Sequence, residues 1–287
     1  MFESFIHFYD EFIKSKIDDI AEFIILEEIH TTGKTKEEIL ERTNKIYETM
    51  KKSLENALSE KTILPIEEAI GQSDKLTSAP FFLDEDMKEA VYWTMSIAEY
   101  NSGMGVIVAC PTAGSSGVFP AVLFKAEEKL KTSKEKSLKA LIVGGVVGAI
   151  IGNKATLSGS EGGCQAEVGV ASAMSAAAIT YLAGGSLSQI FEAISLCLIN
   201  LMGLVCDPVA GLVISPCIKR NTIGVMNAFL ASELALSGVS SIIPVDEVVA
   251  AMSNVGKKMA YELKETGLGG IANTPTAREI RKRIFEE

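Results

Sequence analysis

Apolar residues Ile39, Leu40, Ile46, Met50 and Leu54 recur near helical spacing between charged positions, which predicts an amphipathic helix from Lys36 to about Ser59. Thr35-Lys36-Glu37-Glu38 opens it as a capping box, with hydroxyl and carboxylate each placed to take an orphan N–H. Phe2 to about Glu28 carries the same pattern and reads as one preceding helix. Residues 61–84, punctuated by Pro65, Gly71 and Pro80, read as irregular, and the helical period resumes from Met87 to Tyr100. A short apolar piece, Val106–Ala109, leads into the turn Cys110-Pro111-Thr112-Ala113-Gly114-Ser115-Ser116-Gly117. Val118–Lys131 follows as a helix with Pro120 in its first turn, where proline is tolerated. From Lys136 to Gly152 the choice between strand and helix falls to Gly144, Gly148 and Gly152. Their four-residue spacing puts all three on one helix face, where another backbone can come close. Further helices are predicted at Glu167–Ala183, Leu187–Val205, Ile218–Leu236, Val245–Leu263 and Ala277–Phe285, the last capped by Thr276. The pattern predicts a mainly all-α fold. Charged amphipathic helices over residues 1–60 pack on a compact multi-helix domain over residues 61–287, as one continuous domain.

Charge changes this picture by its distribution. The 287 residues carry a net charge of −10, which argues against nucleic acid and anionic membrane surfaces as partners. Residues 1–60 are rich in charge, but between Ser137 and Ile218 only Lys139, Lys154, Glu161, Glu167, Glu192 and Asp207 are charged. Val168–Phe191 has no charge and is long enough to span a bilayer. It is built of Ala, Gly and Ser, which insert poorly, and it breaks at Gly184-Gly185 before a capping box at Ser186–Gln189. The interval therefore reads as the inside of a protein. Five cysteines and no opening leader segment point to a reducing cytoplasm rather than to a secreted disulfide scaffold.

Candidate chemistry lies in the turns. Cys164 follows Gly159-Ser160-Glu161-Gly162-Gly163, Cys206 opens Cys-Asp-Pro, and Cys217 follows Pro216. Turns of this kind let a thiolate point away from its own helix ladder. A small buried hydrophobe is the alternative for each of them. Cys197, inside the apolar run AISLCLINLMGL, reads as core, and Cys110 has no assigned role. Zinc is disfavoured because there is no Cys-x2-Cys and both His7 and His30 lie in the charged N-terminal part. Three turn cysteines without a fourth suit a cubane iron–sulfur cluster with one open iron. The turns at 111–117 and 158–163 can hold a carboxylate, with Thr112, Gly114, Ser115 and Ser116 in the first and Ser158 and Ser160 in the second as candidates. Simple turn and cap chemistry is the alternative. Lys154, Glu161 and Glu167 are candidate proton carriers, or charges paired within the fold. Asp207 reads as fixing the Cys206 turn. No Walker A or dinucleotide fingerprint is present.

The segments ACPTAGSSGVFPAVL (109–123), SGSEGGCQAEVGVASAMSAAA (158–178), GLVCDPVAGLVISPCIKRN (203–221) and GLGGIANTPTA (267–277) closely resemble the α chain of iron–sulfur-dependent L-serine dehydratase. The resemblance implies a [4Fe–4S] cluster held by Cys164, Cys206 and Cys217 in a largely helical catalytic domain. It implies dehydration and deamination of L-serine to pyruvate and ammonia, with the open iron as Lewis acid, and so a place in amino-acid catabolism and gluconeogenesis. It also implies a β-chain partner in a hetero- or homo-oligomer, from which any histidine base would have to come. Two alternatives accompany it: a related lyase acting on another small amino acid, such as a cysteine desulfidase-like enzyme, and a non-catalytic helical subunit. The family usually has Ala where this chain has Cys110, so no ligand role passes to that residue.

Overall fold

The first predicted helix is in fact two. In the computed structural model, which describes residues 2–78 and 82–285, α1 (Phe5–Ser15) stops at Lys16, where φ is 59°. The chain restarts as α2 (Ile20–Thr32) because the Asp19 carboxylate accepts the N–H groups of Ala21 and Glu22. A side chain that satisfies two orphan donors creates a helix start in the middle of an unbroken periodic pattern. α3 (Lys36–Ser59) has its predicted bounds, and both hydrogen bonds of the Thr35–Glu38 capping box form. Residues 61–78 and 82–84 are irregular apart from 3-10 turns at Glu67–Ala69 and Ser73–Thr77, and Pro80 lies outside the described residues. α4 (Glu85–Ser102) follows, capped by Asp84.

The glycine-bearing segment is helical, as α6 (Lys134–Lys154), reached from α5 (Val118–Leu130). A methyl on Gly144 would overlap the Phe119 ring and come within 3.0 Å of the Met174 carbonyl oxygen. The face thus admits a neighbouring backbone at Gly144, while Gly148 and Gly152 make room for the side chains of Met174 and Leu157. A single-turn α7 (Gly159–Gly162) leads to Cys164, and a π-helical turn at Gln165–Gly169 leads into α8 (Val170–Leu182). α9 (Leu187–Leu201) starts with the predicted Ser186–Gln189 box but ends before Val205, freeing the chain to turn ahead of Cys206. α10 (Cys217–Leu236) begins at Cys217 itself. α11 (Val245–Lys258) is shorter than predicted, and residues 259–274 form an irregular strap with two 3-10 turns. α12 (Pro275–Phe285) is capped by Thr274, not Thr276: Thr274 Oγ1 accepts the Ala277 N–H, and Pro275 takes the first helical position. No strand occurs among the described residues; Cys206 and Lys264 form an isolated parallel bridge.

α8 explains the uncharged interval. It is buried on nearly every face and is wrapped by α5, α6, α9 and α10. Alanine and serine around its whole circumference let four helices approach closely, and a helix that is apolar all round belongs in an interior. Its Ser172 hydroxyl is satisfied by the Gly224 carbonyl at 2.8 Å. No described helix is long and apolar enough to cross a membrane.

The N-terminal helices join this core through aromatic rings. Phe8 packs edge-on to Phe2 and Phe23, with centroids 4.6 and 5.5 Å apart, and Phe5 reaches Phe191 of α9 at 5.4 Å. Phe8→Ala leaves a cavity in this cluster. A loss of about 3–5 kcal/mol is expected from chemical denaturation, with a midpoint shift and little change in slope.

Candidate functional site

Four segments far apart in sequence meet at the end of α8 and α10. Cys164 sits just before the π-helical turn, Cys206 lies between α9 and α10, Cys217 opens α10, and the Thr112 turn precedes α5. The Cys110–Pro111 and Ser215–Pro216 peptide bonds are both cis. The Sγ atoms of Cys164 and Cys206 and a carboxylate oxygen of Glu167 all lie within 4.8 Å of one another, a group able to hold a metal ion. Glu167 Oε2 is 3.9 Å from Cys206 Sγ, and its other oxygen accepts the Thr112 hydroxyl at 2.8 Å. The π-helical turn displaces Glu167 from the ordinary helical register, as such turns often do at functional positions.

The three turn cysteines act on one another electrostatically, and the other two do not take part. The Cys164 thiol is lowered, first by a hydrogen bond from Cys206 and also by the Arg220 charge, against the cost of burial. Arg220 Nη1 stands 3.7 Å from that sulfur. Cys206 is pushed up, first by its hydrogen bond to Cys164 and then by burial. Cys217 is raised by burial and then by the charge of Cys164, which places it in the same electrostatic group. Within the group the Cys206 thiol thus donates toward Cys164, which also has the Arg220 charge beside it. Cys110 and Cys197 are instead buried in the apolar core, and burial pushes both thiols up to about 12.

Burial raises Glu167 above its ordinary carboxylate value and the Glu265 charge adds to this, while the Thr112 hydrogen bond works against it. The space in front of it is kept open by missing side chains. A methyl on Gly159 would overlap Glu167 Oε2 and come within 3.1 Å of Cys206 Sγ, and one on Gly114 would lie 3.5 Å from Glu167 Oε1. Gly114 is fixed by Asn221, whose amide donates to its carbonyl at 2.8 Å and to the Cys217 carbonyl at 3.0 Å.

Of the predicted site residues, the structure brings together Cys164, Cys206, Glu167, Thr112 and Gly114, with Cys217 facing the same charges. Ser115 is fully buried, bonded to the Cys110 carbonyl and the Thr112 hydroxyl, so it braces the turn; Ser116 is buried beside it. Ser158 and Ser160 bond to each other at 2.7 Å at the start of α7. Lys154 and Glu161 point elsewhere: they line a separate cleft of about 310 Å³ with Gln165, Ser253 and Lys257. Sequence reasoning passed over Gly159, Asn221, Arg220 and Glu265. Arg220 and Asn221 fall three and four positions after Cys217, one turn along the same helix, and that spacing is the signal that could have found them. Glu265 has no such signal; it arrives on the strap, where its N–H donates to the Cys206 carbonyl at 2.6 Å.

Comparison with known proteins agrees with this geometry. A family model described as serine dehydratase alpha chain matches residues 16–272. A protein of Bacillus subtilis named probable L-serine dehydratase, alpha chain, is 44% identical over 96% of this chain and 93% of its own. The L-serine dehydratase alpha chain of Peptoniphilus asaccharolyticus is 40% identical over 93% of each chain. A probable L-serine dehydratase alpha chain of Latilactobacillus sakei is 46% identical over 69% of this chain and 95% of its own. With a matching family model over most of its length and a thiol-rich site built on the same segments, the chain belongs to the serine dehydratase alpha-chain family.

Proposed function

We propose that this chain is the catalytic α chain of an iron–sulfur-dependent L-serine dehydratase, a lyase that converts L-serine to pyruvate and ammonia. The observation that carries the reading is the convergence of Cys164, Cys206 and Glu167 inside a family whose relatives are named L-serine dehydratase, alpha chain. The donor set fits a cluster. Soft thiols without a histidine suit iron–sulfur chemistry better than a catalytic zinc site, and Gly159 leaves room where a side chain would fill the cradle. Cys164, Cys206 and Cys217 would hold the cluster. When bound, a [4Fe–4S] cluster with an open iron supplies a Lewis acid for the β-hydroxyl and carboxylate of serine.

The chain's own groups supply orientation and the proton. Thr112 holds one Glu167 oxygen, leaving Oε2 turned toward Cys206 and the open space at Gly159. From there Glu167 takes the Cα proton of serine and returns a proton to the departing hydroxyl, which leaves as water. The product is aminoacrylate, which tautomerises to the imine and hydrolyses to pyruvate and ammonia. The turn of Thr112 and Gly114, braced by the buried Ser115, orients the substrate carboxylate. A second, β chain completes the assembly, and the five free thiols are compatible with a reducing cytoplasm.

The reading is tested by co-expressing the chain with its β partner, purifying both without oxygen, and assaying L-serine and L-cysteine separately. Pyruvate from serine, lost on exposure to air, is the expected result. Turnover of cysteine alone would favour the desulfidase-like alternative, and absence of turnover with either amino acid would favour the non-catalytic subunit.

A further inference from the structure

Arg220 touches the segments that carry two of the three turn cysteines. Its Nη1 donates to the Val205 carbonyl at 2.7 Å, fixing the backbone immediately before Cys206, and stands 3.7 Å from Cys164 Sγ. Its Nη2 pairs with Asp207 Oδ1 at 2.7 Å. Because Arg220 lies on the first turn of α10, these contacts tie Cys164, Cys206 and the helix bearing Cys217 through one planar guanidinium. Asp207 carries the tie further. Its other oxygen, Oδ2, accepts the Ile271 N–H at 2.6 Å, and a methyl on Gly270 would overlap that carboxylate. Gly270 also has φ of 58°, so the strap reaches Asp207 through a backbone that only glycine takes without strain or steric overlap.

We propose that Arg220 and Asp207 form a clamp that positions the cysteine ligands and fastens the 259–274 strap, with Glu265, over the site. Asp207 is buried and Arg220 largely so, with side-chain exposures of 3% and 14%, so water does not easily replace either partner. A guanidinium fork can hold a carboxylate and a carbonyl at once, which a lysine ammonium does with less fixed geometry. A donor on a ligand sulfur also raises the reduction potential of a cluster held there. The strap is fastened independently at Cys206, whose N–H donates to the Leu263 carbonyl at 2.8 Å and whose carbonyl accepts from Glu265. The clamp therefore governs the strap's far end, around Ile271. This role rests on the functional reading above only for its effect on iron.

The test uses the full chain with its β partner, as wild type, Arg220→Gln, Arg220→Lys and Asp207→Asn. Limited proteolysis of the metal-free proteins, mapped by mass spectrometry, is expected to cut within 259–274 in Arg220→Gln and Asp207→Asn, but not in wild type. In the iron-loaded proteins, chelator removes iron about 10–100-fold faster from Arg220→Gln than from wild type, the range seen when groups supporting metal ligands are removed. Its midpoint potential also falls, and Arg220→Lys recovers the potential more fully than the strap's protection. If Arg220→Gln proves unfolded by circular dichroism, the milder Asp207→Asn carries the test. Wild-type resistance of the strap in both Arg220→Gln and Asp207→Asn overturns the clamp. Wild type that takes up no iron or sulfide refutes the functional reading instead, and the metal-free proteolysis still decides the clamp.

Discussion

Cys206→Ser is expected to abolish pyruvate formation while leaving the helical fold in place. Cys206 is buried, stands between Cys164 and Glu167, and its backbone carries the bridge to the strap. Serine preserves that backbone and nearly the volume, so the far-ultraviolet circular dichroism of the metal-free chain should match wild type. What is lost is the soft donor. Removing a metal's several kcal/mol of transition-state stabilisation corresponds to a fall in kcat of about 10³-fold or more. Iron and acid-labile sulfide in the anaerobically purified protein should fall together with activity. Normal activity with normal iron in Cys206→Ser would remove this residue from the ligand set. Cys110→Ser is the matched control: it lies in the core, and it should retain iron whatever its effect on stability.

Glu167→Gln is the second large effect, and it separates proton transfer from cluster binding. Glutamine keeps an oxygen for the Thr112 hydroxyl and fills the same space before Gly159, but it cannot exchange a proton. The expected loss in kcat is about 10²–10⁴-fold, with KM and iron content close to wild type, as for other general acid–base groups. Gly159→Ala should resemble it in activity, since its methyl overlaps the same oxygen, yet it leaves the carboxylate ionisable. A Glu167→Gln enzyme retaining more than about a tenth of wild-type kcat would place the proton carrier elsewhere.

How far the sequence reaches depends on the range of the interactions that fix each feature. Local ones were legible. The capping boxes at Thr35 and Ser186 and the proline in the first turn of α5 act within one or two turns, and each forms as read; of the glycine face of α6, the helix forms but only Gly144 meets a neighbouring backbone. The turn cysteines stood out for the same reason. Glu161 and Glu167 show the limit: both neighbour Cys164 in sequence, but the short α7 leaves Glu161 facing α11, and the π-helical turn carries Glu167 to the thiols. Periodicity cannot register either displacement. The break at Lys16 was hidden because a cap restarts the helix without disturbing the apolar pattern. The strap was missed because its anchors are distant in sequence: Asp207 holds Ile271 and Cys206 holds Leu263 and Glu265. Such pairs follow from the packing of α9, α10 and α11, which no local pattern encodes.

The central claim is that Cys164, Cys206 and Cys217 hold a cluster whose open iron receives serine. Mössbauer spectroscopy of the anaerobically purified enzyme, enriched in the active isotope, tests this most directly by comparing spectra before and after L-serine is added. Cubane-type iron is expected throughout, with a single iron subsite shifting when serine binds. A spectrum without cluster iron, or a cluster spectrum that serine leaves unchanged while pyruvate is still produced, would contradict it.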